Sequence, residues 1–284
     1  MDKQKFVEIS KSFFVDPDYK TTFIRLGLNS IDAVFSFNAG KNLTKANLAS
    51  YRRRLQFKID SPPTTLFLKR YDNPPILTQL KNWLTNHTRK SCAFFDFKPA
   101  EKLASLGINT PKTIACGEQW AVFFEKRSFI ITEKIPNAES LEQKLPACFS
   151  APPTVENLNL RRNFIAQLAA FVKKFHETNY RHRDLYFSHI FHDSAGKFYL
   201  IDLARAFKPI VFAERFLIKD IAQLHYSAPR QYFSNTDRLR FYLSIKGQNK
   251  LTGKDKLFIS KVINKTEQMA RHDIKHGRPA PFAD

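Results

Sequence analysis

Acidic residues are the scarce class in this 284-residue chain: 26 Asp and Glu stand against 46 Lys and Arg, a formal charge of +20. That imbalance raises the local concentration of anions by long-range attraction, so nucleic acid, an anionic membrane surface and a phosphorylated or carboxylated substrate are the partner classes to weigh. A basic surface kept for solubility stands beside them. Cysteine is also sparse. Cys92, Cys116 and Cys148 are an odd number with no C-x-x-C spacing, which argues against a disulfide framework or a zinc site and for a reducing compartment. Only 8 glycines occur against 28 phenylalanines, which removes the low-complexity, collagenous and disordered classes. No segment approaches the roughly 18 apolar residues of a membrane span. The start, "MDKQKFVEIS", has no apolar signal core, so a cytoplasmic protein with at most peripheral membrane contact is expected.

What is present suffices for a large core: 43% of residues are hydrophobic and 14% aromatic, enough for one large domain or two lobes. No internal repeat is visible. The first third reads as strands, in "DAVFSFNA", "RRLQFKID" and "TTLFLKRY", with "AVFFEKRSFIITEKI" as two strands around a charged turn. One helix interrupts them, "KPAEKLASLGI", with Pro99 near its start and Gly107 as its stop. The Pro-rich stretch from Ile135 to Leu160 reads as a connector, which sets two lobes at residues 1–135 and 136–284. Beyond it Phe164, Leu168, Phe171, Val172 and Phe175 form a helical stripe, "HIFHDSAGKFYLIDL" reads as a hairpin, and the C-terminal part is helical and basic.

The segment "RHRDLYFSHIF" carries the chemistry. Phosphoryl transfer requires a carboxylate to accept the nucleophile's proton, a second to hold a metal on the phosphates, and a lysine to fix the nucleotide. His182, Arg183 and Asp184 match the H-R-D that opens the kinase catalytic loop. Asp202 follows one hairpin later in "LIDLARA", with D-L-A in place of D-F-G. Lys69 closes an apolar strand in "LFLKRY", and Glu101 on the following helix is its natural ion-pair partner. The order of strand lysine, helix glutamate, hinge, apolar helix, H-R-D, hairpin and Asp carries more weight than any one of these features.

Together "FLKRY", "AEKLASLGINTP", "FIITEKI", "HRDLYFSHIF", "LIDLARA" and "KDIAQLHYS" resemble the bacterial lipopolysaccharide kinase (Kdo/WaaP) family. The resemblance implies an α+β, protein-kinase-like bilobal fold, with an antiparallel β-sheet and one key helix in the N-lobe and a mainly helical C-lobe. It implies ATP and Mg2+ as cofactors, and a sugar of the lipopolysaccharide inner core, Kdo or heptose, as acceptor at the inner face of the bacterial inner membrane. Asp184 would be the base, supported by His182 and Arg183, Asp202 the magnesium ligand, Lys69 the phosphate ligand with Glu101 behind it, and Glu133 part of the nucleotide site. Asp220 would brace the catalytic loop.

Departures from the kinase pattern accompany it. No G-x-G-x-x-G occurs, and "RLGLNSIDAVFSF" leaves Gly27, Asn29 and Ser30 to line the phosphates. His189 stands where protein kinases place a metal-binding Asn. Imidazole is a poor magnesium ligand, so a hydrogen bond from His189 to Asp184, Asp202 or a phosphate is the expectation, with a packed core histidine as the alternative. Too few residues separate Asp202 from Asp220 for a long activation segment, which disfavours a protein substrate. Arg205, Lys208, Arg215 and Lys219 then suit an acidic acceptor or form a solvated basic face. A kinase acting on another small molecule, and a basic membrane- or nucleic-acid-binding pseudokinase, remain as other readings.

Overall fold

A computed structural model describes residues 6–44, 50–149, 154–278 and 280. The chain divides into two compact units, one of Met1–Glu101 with Pro111–Pro136, the other of Lys102–Thr110 with Asn137–Asp284.

The first unit holds β1 (Val7–Ser10), β2 (Phe13–Val15), α1 (Lys20–Arg25), α2 (Ile31–Ser36), β3 (Lys41–Asn42), β4 (Arg52–Asp60), β5 (Pro63–Asp72), α3 (Ile76–Asn86), the start of α4 (Cys92–Ser105), β6 (Thr113–Trp120) and β7 (Glu125–Glu133). Its strands form one antiparallel sheet in the order β1-β2-β6-β7-β5-β4-β3. Alternation places Leu66 and Leu68 of β5, Leu55 and Phe57 of β4 and Phe129 and Ile131 of β7 in one buried cluster with Phe13 and Phe23. Phe13 meets Phe129 edge-on at 4.9 Å. Because side chains alternate, Lys69 and Tyr71 lie on the other face, toward α4.

The second unit holds β8 (Ala138–Ser140), α5 (Leu141–Phe149), α6 (Val155–Glu177), β9 (Ile190–Asp193), β10 (Phe198–Leu200), α7 (Ala213–Ser227), α8 (Asn235–Lys246) and α9 (Gly253–Lys275). α6 starts where the Thr154 hydroxyl accepts from the Asn157 N–H at 3.2 Å, and it buries Ile165, Leu168, Ala169, Val172 and Phe175. Capping boxes open α8 (Ser234 with Asp237) and α9 (Thr252 with Asp255). Strands β8, β9 and β10 form a small antiparallel sheet, with the hairpin at the expected place.

Several local expectations are corrected. "DAVFSFNA" is not a strand: the Ser30 hydroxyl accepts from the Ala33 N–H at 3.1 Å and starts α2, so a cap overrides a short alternating pattern. β7 is a single strand, and the preceding Ala121–Phe124 belongs to the turn from β6, a strand the sequence reading missed along with α3. α4 begins at Cys92 and carries Pro99 inside it; Gly107, at φ +76°, provides the left-handed residue just past its end. The expected connector contains β8 and α5.

Candidate active site

In the first unit, β5 and α4 place Lys69 against a carboxylate. The Lys69 ammonium lies 3.2 Å from Asp96 Oδ2, and the buried Tyr71 hydroxyl donates to the same oxygen at 2.5 Å. Burial, and then the Asp96 charge, hold the Tyr71 phenol well above its ordinary range, so it remains a donor. The sequence reading paired Lys69 with Glu101. Asp96, five residues upstream on the same helix, is a carboxylate partner of Lys69 that this reading did not name, because α4 starts earlier than Pro99 and its first turns lie beside β5. Gly27, Asn29 and Ser30 lie in the turn between α1 and α2, where the Ser30 hydroxyl caps α2. Glu133 ends β7, where Oε1 accepts from the Thr64 hydroxyl at 3.1 Å; burial, with the Glu133 charge next, pushes the Tyr19 phenol up to about 12.

In the second unit, α7 holds the H-R-D loop through one polar stripe. Asp220 is fully buried, and its two oxygens accept from the His182 N–H at 2.9 Å and the Arg183 N–H at 2.8 Å. The His176 imidazole faces Asp220 Oδ2 at 3.3 Å. One turn on, the Gln223 amide donates to the Arg183 carbonyl at 2.8 Å and accepts from the Leu185 N–H at 2.9 Å. The Ser227 hydroxyl accepts from the Phe187 N–H at 3.1 Å. Asp184 is thus fixed from both flanks. This matters because Arg183 has φ +70°, a left-handed backbone that costs a non-glycine residue about 1 kcal/mol and persists only when surrounding bonds enforce it. Gln223 and Ser227 were missed from sequence; the signal was the D-x-x-Q-x-x-x-S spacing, which puts three polar side chains on one helix face.

The remaining loop residues divide the work. His182 is buried, and its Nε2 donates to the Ile201 carbonyl at 3.0 Å; burial lowers its pKa, so the ring is a neutral strut before Asp202. The Arg183 guanidinium lies over the Phe207 ring at 5.4 Å. His189 Nδ1 donates to the Asp184 carbonyl at 2.7 Å, and Nε2 lies 4.0 Å from Asp202 Oδ2. Asp202 is itself left-handed, at φ +56°.

Of the basic residues assigned to the acceptor, Arg205 sits on Asp184, its Nη1 donating to Oδ1 at 2.8 Å and Oδ2 at 2.9 Å. Lys219 is half-buried, and that burial lowers its pKa while the nearby Asp184 charge opposes the shift. Arg215 is exposed on the first turn of α7, and the Lys208 ammonium covers the Tyr180 ring at 5.2 Å.

For magnesium the donor set is spare. Among the described residues no group of three or more His, Cys, Asp or Glu side chains is arranged to hold a metal. A single carboxylate suits a magnesium ion that arrives on nucleotide phosphates, since this ion keeps waters and takes few protein ligands. The Asp202 carboxylate fits that role, and the His189 imidazole, a poor magnesium ligand, does not.

A strand lysine paired to a helix carboxylate, a pinned H-R-D loop and a following Asp define a phosphotransferase of the protein-kinase-like α+β fold. Comparison with known proteins makes the class specific. The sequence model of the "Lipopolysaccharide kinase (Kdo/WaaP) family" matches residues 48–244, and the chain belongs to that family. The lipopolysaccharide core heptose(I) kinase WaaP of Escherichia coli strain K12 is 28% identical over 67% of this chain and 72% of its own length. Its Pseudomonas aeruginosa counterpart is 30% identical over 57% and 62%. A solved structure of WaaP in complex with acyl carrier protein aligns over 91% of this chain and 99% of that one, with a TM-score of 0.65 at 19% identity, which supports the fold. The protein is accordingly an ATP-dependent phosphotransferase acting on a sugar hydroxyl of lipopolysaccharide.

Proposed function

We propose that the chain transfers the γ-phosphoryl group of ATP to a hydroxyl of an inner-core heptose, the sugar named for its curated relatives. The observation that supports this most directly is His189, whose two ring nitrogens face the two aspartates such a reaction requires: Nδ1 the Asp184 carbonyl at 2.7 Å, Nε2 the Asp202 carboxylate at 4.0 Å. Asp184 accepts the proton of the attacking hydroxyl, and Arg205, already on that carboxylate, orients it and meets the acidic acceptor. Asp202 would hold a magnesium ion brought in on the nucleotide, and that ion would supply charge neutralisation on the phosphates. Lys69, steadied by Asp96, fixes the nucleotide phosphates, and Glu133 belongs to the same nucleotide site. Arg215 and Lys219 extend the positive surface toward the core saccharide. Peripheral contact with an anionic membrane follows from the acceptor's lipid anchor, and acyl carrier protein, recorded with the solved neighbour, is a further candidate partner.

The test is Asp184→Asn, assayed for phosphate transfer from ATP to core oligosaccharide, with the product located by mass spectrometry. Loss of a general base costs about 10² to 10⁴ in rate, with nucleotide affinity unchanged. Turnover within about threefold of the parent removes Asp184 from the chemistry, and a phosphate found on Kdo replaces heptose as acceptor.

A further inference from the structure

Helix α3 is amphipathic in the wrong direction for a soluble protein. Its inward anchor is an amide: Gln79 is buried, donates to the Pro74 carbonyl at 2.8 Å and the Glu125 carbonyl at 3.1 Å, and accepts from the Glu125 N–H at 2.8 Å. Its outward face is aliphatic. Ile76, Leu77, Leu80 and Leu84 share one side by their spacing, and Leu77 and Leu84 are 81% and 75% exposed. The turn from β6 adds Val122 and Phe123, 85% and 66% exposed. Arg89 ties the two segments together: its guanidinium donates to the Phe123 carbonyl at 2.6 Å and covers Trp120 at 5.3 Å and Trp83 at 5.7 Å. Trp83 in turn stacks on Phe124 at 5.7 Å and donates through Nε1 to the Lys90 carbonyl at 2.8 Å.

We infer that α3 and the 121–124 turn form a membrane-docking surface that inserts shallowly into an anionic lipid leaflet. Contiguous exposed apolar side chains mark an interaction site. Charge decides which partner covers it. From Asn73 to Phe95 the chain has no Asp or Glu and carries Lys81, Arg89 and Lys90, the sign that suits negative headgroups. Aliphatic side chains ringed by tryptophan and cations are the composition of an interfacial helix, in which the indoles sit at headgroup level. This surface belongs to the first unit, whereas Arg205, Arg215 and Lys219 belong to the second. It draws on the proposed function only for a reason to reside at a membrane.

The chain's 2 tryptophans are Trp83 and Trp120, so tryptophan fluorescence, excited selectively over tyrosine, reports on this surface. The full chain is titrated with vesicles of phosphatidylcholine, with or without phosphatidylglycerol, and with brominated acyl chains as quenchers. The expected result is a blue shift and quenching on the anionic vesicles, reversed by salt, and little change on neutral ones. L77Q/L84Q/V122Q, all exposed positions, lowers partitioning about tenfold or more. K81Q/K90Q weakens binding to anionic vesicles selectively. Both variants retain the far-UV spectrum and transfer phosphate to delipidated core oligosaccharide at the parent rate. No fluorescence change on anionic vesicles, unchanged partitioning of L77Q/L84Q/V122Q, or a solution dimer that these substitutions dissociate overturns the inference. Absent transfer to soluble acceptor with normal vesicle binding overturns the proposed function and leaves this surface standing.

Discussion

Removing the Asp220 carboxylate exposes how much the catalytic loop depends on α7. In Asp220→Ala the backbone N–H groups of His182 and Arg183, held at 2.9 and 2.8 Å, lose their acceptor in a site where Asp220 is fully buried. Each buried donor left unsatisfied costs about 1–3 kcal/mol, so the pair costs about 4 kcal/mol. Asp220→Asn keeps one acceptor oxygen but turns an NH2 toward the second donor, and should cost about 2 kcal/mol by the same reasoning. For a cooperative unit of this size, 1 kcal/mol moves the melting temperature by about 2–4 °C, which predicts a fall of about 8–16 °C for Ala and half of that for Asn. Scanning calorimetry measures the fall. Phosphate transfer, assayed well below the lowered melting point, should also drop, because Arg183 no longer has both sides of its left-handed backbone enforced. An Ala variant melting within about 2 °C of the parent, or an Asn variant no better than Ala, refutes this account of the brace.

Two further outcomes follow from the same geometry. His189→Asn, which retains a donor and an oxygen acceptor, should keep more transfer activity than His189→Leu, which has neither; a Leu variant equal to the parent in a steady-state assay reduces His189 to packing. His225 is held by burial, and then by the Arg238 and Arg230 charges, down to about 4 from an ordinary 6.5. Between those values the unfolded chain takes up a proton that the folded chain refuses, so the His225 contribution to stability is constant above 6.5 and falls as pH drops toward 4. At 1.4 kcal/mol per tenfold, the loss is about 3 kcal/mol. Urea melts across that window should show the decline, and His225→Gln should flatten it; an unchanged slope in that variant assigns the pH dependence elsewhere.

Much of the second unit was legible in the chain. The α6 stripe, the hairpin and the order of H-R-D and the following Asp depend on short-range spacing, which sequence records directly. The first unit was less so. The alternation of "DAVFSFNA" became a helix because one serine cap outweighed it, and α4 extends upstream past Pro99, which brings Asp96 to Lys69, a partner the sequence reading did not name. The D-x-x-Q-x-x-x-S spacing puts Gln223 and Ser227 on one face of α7 with Asp220, but their loop partners are set only when α7 lies along the loop.

The residue types thus determined the class of chemistry: a lysine, two aspartates and a histidine in a fixed order, with a surplus of positive charge around them. Tertiary structure alone decided that Asp96 meets Lys69, that Arg205 rests on Asp184, and that the leucines of α3 face outward while its glutamine faces in. Hydrogen-bond partners far apart in sequence are chosen by packing, and an apolar stripe shows its period but not which way it points.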